Sequence, residues 1–140
     1  MPNVAASTLK RYAAALLGAG GLFAVLTPAY LIRALPGSAV YHRSPAVFVM
    51  QAIPYLLCAA LWLPSSNPRA PKVALGLSIL LFAVAGVLYL PQWVHPRSGG
   101  DMVGLGYILA CLVLTTTVLV VSIVAVVVSW WSARAGIRAR

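Results

Sequence analysis

Four long apolar stretches occupy most of this 140-residue chain, and its basic residues lie at their ends. The chain is 62% hydrophobic and 8% charged, whereas a soluble domain is typically about 25% charged. A water-soluble fold of this length could not cover so much apolar surface. Lipid is therefore the expected solvent for most of the chain, which predicts a single all-α, polytopic membrane domain over residues 1–140.

Prolines, loops and basic residues set the bounds of the four predicted spans. Pro45 suits the first turn of the second helix, where no N–H partner is lost. Pro64, Pro68 and Pro71 then favour a stiff connector. The fourth stretch has about 30 residues, so it is expected to tilt or to project beyond the bilayer. The predicted spans are 12–32, 46–63, 73–94 and 102–131.

The distribution of Lys and Arg predicts the orientation of these spans. Cytoplasmic loops of membrane proteins carry an excess of basic residues. With the amino terminus inside, the cytoplasmic side holds Lys10, Arg11, Arg69, Lys72, Arg134, Arg138 and Arg140. The opposite side then holds only Arg33, Arg43 and Arg97. Both termini are therefore expected in the cytoplasm, and the membrane is expected to be a bacterial-type inner (cytoplasmic) membrane.

Short loops favour an up-down antiparallel bundle of four transmembrane helices. Small residues four apart would allow the helices to approach closely. They occur at Ala14 and Gly18, Gly20 and Ala24, Ala74 and Ser78, and Gly106 and Ala110. Such pairs do not distinguish a contact within the bundle from a contact with another chain.

The chain has few groups that could carry catalysis. Asp101 is its one carboxylate, and no predicted span contains Asp, Glu, Lys or Arg. Cys58 and Cys111 form no CxxC motif. A metal site built from His42, His95 and Asp101 has no local spacing to enforce it, so we expect neither a metal nor a cofactor.

The net charge of +9 predicts contact with lipid headgroups. The basic residues flank membrane spans and lie on both sides of the bilayer, which does not favour a nucleic-acid partner. The carboxy-terminal residues Arg134, Arg138 and Arg140 are the expected headgroup contacts.

Polar and aromatic side chains concentrate in the half of the bundle predicted to face outward. They favour a crevice between helix ends that binds a small polar molecule, a lipid headgroup or a partner's helix. Aromatic residues also gather at membrane interfaces without any ligand, and that alternative stays open. The candidate residues are Tyr30, Gln51, Tyr55, Tyr89, Gln92, Trp93, His95, Asp101 and Tyr107.

Two prolines inside spans are predicted to kink their helices near this crevice. Pro54 cannot donate to the carbonyl of Met50, and Pro28 leaves the carbonyl of Ala24 free in the same way. Gln51 lies about one turn inside the membrane and requires hydrogen-bond partners. The kink and the amide together fit either a ligand notch or an ordinary interhelical hydrogen bond, and we prefer the hydrogen bond.

The function expected from these features is non-catalytic binding of a partner membrane protein. The chain would be an accessory subunit of a complex or an immunity-type neutraliser of another membrane protein. The alternative is a small homo-oligomeric channel or carrier for a small or hydrophobic solute. The first hypothesis rests on well-formed spans, minimal loops and the lack of a catalytic constellation in the sequence, while the channel or carrier would use the outward-facing crevice.

The predicted orientation is testable by labelling. Reporter fusions at either terminus are expected to give a cytoplasmic signal. A cysteine placed at Gly99 or Gly100 is expected to react with an impermeant thiol reagent added from outside. Reaction at Ser65 or Ser66, with protection at Gly99 and Gly100, would reverse the orientation.

Overall fold

Four α-helices make up the part of the chain that the structure, a computed structural model, describes. That part comprises residues 2–34, 45–94 and 100–138, with side chains described for 4–34, 46, 49–94, 106 and 108–134. The all-α prediction is confirmed. In chain order the helices are α1 (Pro2–Ala34), α2 (Pro45–Trp62), α3 (Ala70–Val94) and α4 (Gly100–Arg138).

Three of these helices are long and apolar enough to cross a membrane, which indicates an integral membrane protein. They correspond to Val4–Ala34, Ala70–Val94 and Ile108–Arg134. The apolar part of α2 that the structure describes, Val49–Trp62, is shorter. A crossing by α2 therefore remains part of the proposal made below.

The helices extend furthest beyond the predicted apolar spans at two places. α1 begins at Pro2 and not at Tyr12, and α4 continues to Arg138 beyond Trp131. The amino-terminal extension carries Ser7, whose hydroxyl donates to the carbonyl of Val4 (2.8 Å). Hydropathy marks the part of a helix that lies in lipid, while backbone hydrogen bonding continues into the polar flanks.

The most extensive packing joins α1 to α3, which are not consecutive in the chain. α2 packs against both of these helices, and α4 packs mainly against α2. The buried positions recur every three or four residues, which is the spacing of one helix face. On α1 and α3 the buried positions include Ala13, Leu17, Ala24, Leu31, Ala74, Leu77, Leu81 and Ala85.

Hydrogen bonds between helices define two ends of the molecule. At one end, Lys10 Nζ near the start of α1 donates to the carbonyl of Ser65, just after α2 (2.7 Å). At the other end, Trp93 Nε1 near the end of α3 donates to Thr27 Oγ1 near the end of α1 (2.9 Å). We refer to these as the Lys10 end and the Thr27 end.

Two glycines of α1 make room for an aromatic ring from α2. A Cβ placed on Gly20 would lie 2.8 Å from Tyr55 Cε1, and one placed on Gly21 would lie 3.4 Å from Tyr55 Cβ. The ring is buried, and its hydroxyl donates to the carbonyl of Leu81 on α3 (3.2 Å). Tyr55 therefore links all three helices of the tightest contact.

The small-residue pairs divide into two groups according to their surroundings. The pairs Gly20 and Ala24, and Ala74 and Ser78, are buried in the contacts among α1, α2 and α3. Ala14 and Gly18 are exposed, and none of the described atoms lies within 4 Å of a Cβ built on Gly18. The pair Ala14 and Gly18 therefore plays no part in the described helix packing.

Gly20→Ala is expected to lower the free energy of unfolding by about 1–3 kcal/mol, because the new methyl group overlaps a ring that cannot withdraw. The ring of Tyr55 is held on its far side by the hydrogen bond to Leu81. Thermal unfolding in detergent measures the effect, with Gly18→Ala as the matched control. An equal loss in both variants would show that the Tyr55 contact is not the cause.

Candidate functional site

A buried polar pair joins α2 to α3 within the predicted crevice set. Tyr89 Oη donates to Gln51 Oε1, and both side chains are almost fully buried, at 2% exposed. Gln51 Nε2 is buried too, and no acceptor among the described residues lies within hydrogen-bonding distance of it. The amide oxygen of Gln51 is thus hydrogen-bonded to α3, while its amide nitrogen has no acceptor among the described residues.

An aromatic cluster closes the Thr27 end between α1 and α3. The rings of Tyr30 and Trp93 stack with centroids 4.3 Å apart and an interplanar angle of 8°. Phe23 also stacks on Trp93, with ring centroids 6.0 Å apart, and meets Tyr89 edge to face at 6.0 Å. These ring contacts join α1 to α3 at the Thr27 end.

The carbonyl freed by Pro54 has a partner on α4. Cys111 Sγ donates to the carbonyl of Met50 (2.6 Å). Both α1 and α2 continue as helices through their prolines, and the side chains of Pro28 and Pro54 are buried. The backbone group released by Pro54 is thus used to attach α4 to α2.

The predicted crevice residues fall into three sets. Gln51, Tyr55 and Tyr89 are buried inside helix contacts. Tyr30, Gln92 and Trp93 lie at the Thr27 end with part of their surface accessible, and Tyr30 and Trp93 line a hollow of ≈ 260 Å³. The remaining candidates lie outside the described residues or side chains: His95, Asp101 and Tyr107. Their binding roles remain predictions.

The remaining predicted features concern the two cysteines, a metal site and the carboxy-terminal arginines. Cys58 and Cys111 are both free and buried. No group of three His, Cys, Asp or Glu side chains that could hold a metal occurs within the described ranges. The guanidinium of Arg134 lies over the ring of Trp130, 3.7 Å from its centroid. The side chains of Arg138 and Arg140, like His42, lie outside the part that the structure describes.

A groove of ≈ 440 Å³ runs along the surface between α1 and α2. We call it the α1–α2 groove. It is lined by apolar and small residues, including Ala14, Gly18, Gly21, Leu22, Ala52, Leu56 and Ala59. The spacing of Ala14 and Gly18 was the sequence signal for it, but the sequence did not show which neighbour the pair would face.

A polar cluster at the Lys10 end was not anticipated from the sequence. Asn67 Nδ2, in the connector between α2 and α3, donates to Ser129 Oγ of α4 (2.9 Å). Two residues later, Arg69 Nη2 donates to Ser132 Oγ (3.2 Å). Serines three apart on one helix face could have been noticed, but nothing in the connector identified their partners.

Comparison with known proteins gives no relative for the chain. No protein-family model matches it, and no curated protein or solved structure matches it.

Removal of the hydroxyl in Tyr89→Phe is expected to destabilise the protein by about 0.5–1.5 kcal/mol, because the buried carbonyl of Gln51 loses its donor. Gln51→Met in the same chain replaces the amide by an apolar side chain of similar shape. The double variant is therefore expected to lose less stability than the sum of the two single variants. Unfolding of the four proteins in detergent measures this coupling. Strict additivity would show that the bond contributes nothing to stability.

Proposed function

We propose that this chain is a non-catalytic integral membrane protein that binds a partner membrane protein through the α1–α2 groove. The observation that supports the proposal is the open space above Gly18. Gly20 and Gly21 are small because Tyr55 packs on them, whereas no described neighbour uses the space at Gly18. A transmembrane helix of another protein would fill that space.

The chemistry of the groove suits a helix as its occupant. Water does not drive helix association inside a bilayer, so close backbone approach and dispersion contacts must do so. Small residues on the floor permit that approach. From Ala14 to Val25 the groove follows about three turns of α1, or roughly 16 Å of helix. Leu22 and Leu56, which are largely exposed, would pack on either side of an incoming helix.

The proposed arrangement is an up-down bundle in an inner membrane, with both termini in the cytoplasm. α2 has 18 residues, close to the lower limit of about 17 for a crossing. Contacts along the helices support this alternation of up and down. Lys10 near the start of α1 meets Ser65 beyond the end of α2, as expected of antiparallel helices. Met50 and Trp62 of α2 meet Cys111 and Ser122 of α4 in the same order, as expected of parallel helices. The partner would be a subunit of a larger complex or the target of a neutraliser.

A second copy of this chain is the competing occupant of the groove. Self-association there would favour the alternative function, a small homo-oligomeric channel or carrier. The two functions differ in what is found in the groove, and the same residues can be used to test both.

Gly18→Leu is expected to weaken partner binding by about tenfold or more, because the side chain fills the groove and separates the helices by more than a close contact allows. The matched control is Gly76→Leu on α3, which is also exposed and also has no described atom within 4 Å of its Cβ position. Both variants are expected to keep the thermal stability of the parent, since each new side chain extends from an exposed position with no described atom within 4 Å of its Cβ.

The measurement is photo-crosslinking in native membranes from a photo-reactive residue at Leu22, beside the groove, or at Leu80 on α3, both exposed, in the parent and in the two glycine variants. A heteromeric adduct of defined mass from position 22 alone, lost in Gly18→Leu and kept in Gly76→Leu, supports the proposal. Adducts to a second copy support the channel or carrier. Equal yields from both positions, or lipid adducts alone, would refute partner binding in the groove.

A further inference from the structure

A pocket of ≈ 520 Å³ lies at the Lys10 end between the α2–α3 connector and α4. About half of its lining surface is polar, in contrast to the almost wholly apolar α1–α2 groove. We call it the connector pocket. Its polar lining residues are Ser65, Ser66, Asn67, Arg69, Ser129 and Ser132.

Hydrogen bonds fix the geometry of this pocket. Asn67 Oδ1 accepts from the backbone N–H of Arg69 (2.9 Å), and Asn67 Nδ2 donates to Ser129 Oγ (2.9 Å). Asn67 therefore holds the connector in shape and attaches it to α4 at once. Arg69 Nη2 makes a second attachment one turn further on, to Ser132 Oγ (3.2 Å). Both halves of the pocket are positioned before any ligand enters.

The pocket has donors to offer to an anion. The guanidinium of Arg69 carries five N–H donors, and the described bond to Ser132 uses one of them. Ser129 accepts its bond from Asn67, so its own proton is not spent on that contact. Lys10 Nζ adds a positive charge beside the connector through its bond to the carbonyl of Ser65. The chain's one carboxylate, Asp101, lies at the opposite end of α4 from Ser129 and Ser132.

Exposed aromatic side chains place the pocket at the depth of lipid headgroups. Trp130 and Trp131 are 51% and 69% exposed and lie between the two serines in the sequence of α4. Tyr12, two residues after Lys10, is 62% exposed. Tyr and Trp concentrate where hydrocarbon meets the headgroups, because their rings are amphipathic. The pocket therefore sits at the level where phosphate groups of the bilayer lie.

We propose that the connector pocket binds a phosphate group, carried by an anionic lipid or free in solution, with Arg69 as its principal ligand. A guanidinium matches phosphate oxygens with two parallel N–H bonds, which an ammonium cannot do. The hydroxyl of Ser129 completes the donor set, while Ser132, whose own proton is donated to the carbonyl of Val128 (2.7 Å), accepts from Arg69 and orients its guanidinium. The lining residues of this site are not shared with the α1–α2 groove, so the proposal can be tested independently of partner binding.

Native mass spectrometry of the full chain in detergent, titrated with phosphatidylglycerol, tests the proposal. Arg69→Gln is expected to weaken binding of this lipid by about tenfold, which is typical of the loss of a bidentate charged contact. The matched control is Lys72→Gln, which makes the same change in net charge on the first turn of α3 at an exposed residue outside the pocket lining. It is expected to change binding by less than about twofold. Arg69→Lys is expected to fall between the two.

A charge-neutral variant covers the case in which Arg69→Gln fails to fold. Ser129→Ala combined with Ser132→Ala keeps every basic residue and is expected to weaken binding several-fold. Inorganic phosphate as competitor separates the sources: displacement of the lipid identifies free phosphate as a ligand, and no displacement identifies the lipid headgroup. Equal losses for Arg69→Gln and Lys72→Gln, or unchanged binding in the serine variant, would overturn the proposal.

Discussion

Hydrogen bonds between helices are the constraint on which the arrangement of this protein depends. In a hydrocarbon solvent a polar side chain cannot turn to water, so it must find its partner inside the chain. Tyr55 reaches the carbonyl of Leu81 across α2 and α3, and Trp62 Nε1 donates to Ser122 Oγ across α2 and α4 (2.9 Å). Apolar packing alone would tolerate several rotations of each helix, because lipid and protein interior are similarly apolar. The polar contacts select one rotation.

The attachment of α4 to α2 uses a backbone carbonyl that a proline leaves free. Pro54 removes a donor from α2 and leaves the carbonyl of Met50 without its helical partner. Cys111 on α4 supplies a thiol donor to that oxygen. A proline that would weaken an isolated helix thus creates an acceptor for its neighbour. The freed carbonyl was predictable from the sequence, but its partner was not, since no local pattern connects residues so far apart in the chain.

Hydropathy predicted the all-α class and four apolar spans, three of which are long enough to cross a membrane, because the length of an apolar run is a local property. It did not predict that α1 would pack most extensively on α3, because the choice of neighbour depends on which face of each helix is turned inward. For a lipid-facing helix the outer face is as apolar as the inner one, so the sequence carries little periodic signal. For the same reason, an interhelical hydrogen bond was the preferred expectation for Gln51, but the sequence did not identify Tyr89 as its donor.

The use of glycine separates the internal contacts from the surface that remains open. Gly18 and Gly20 lie two residues apart on α1 and are the same residue type. Gly20 nevertheless faces Tyr55, whereas Gly18 faces the groove. A glycine weakens a helix slightly, and at Gly18 it also leaves the floor of the groove open to the proposed helix contact. In the connector pocket, too, one side chain maintains the fold and its neighbour is left for a ligand. Asn67 hydrogen-bonds to the connector and to α4, while Arg69 uses one of its five N–H donors in its described bond to Ser132 and retains the others. The proposed partner helix and the proposed phosphate ligand would therefore bind at separate surfaces, the apolar α1–α2 groove and the connector pocket beside Arg69.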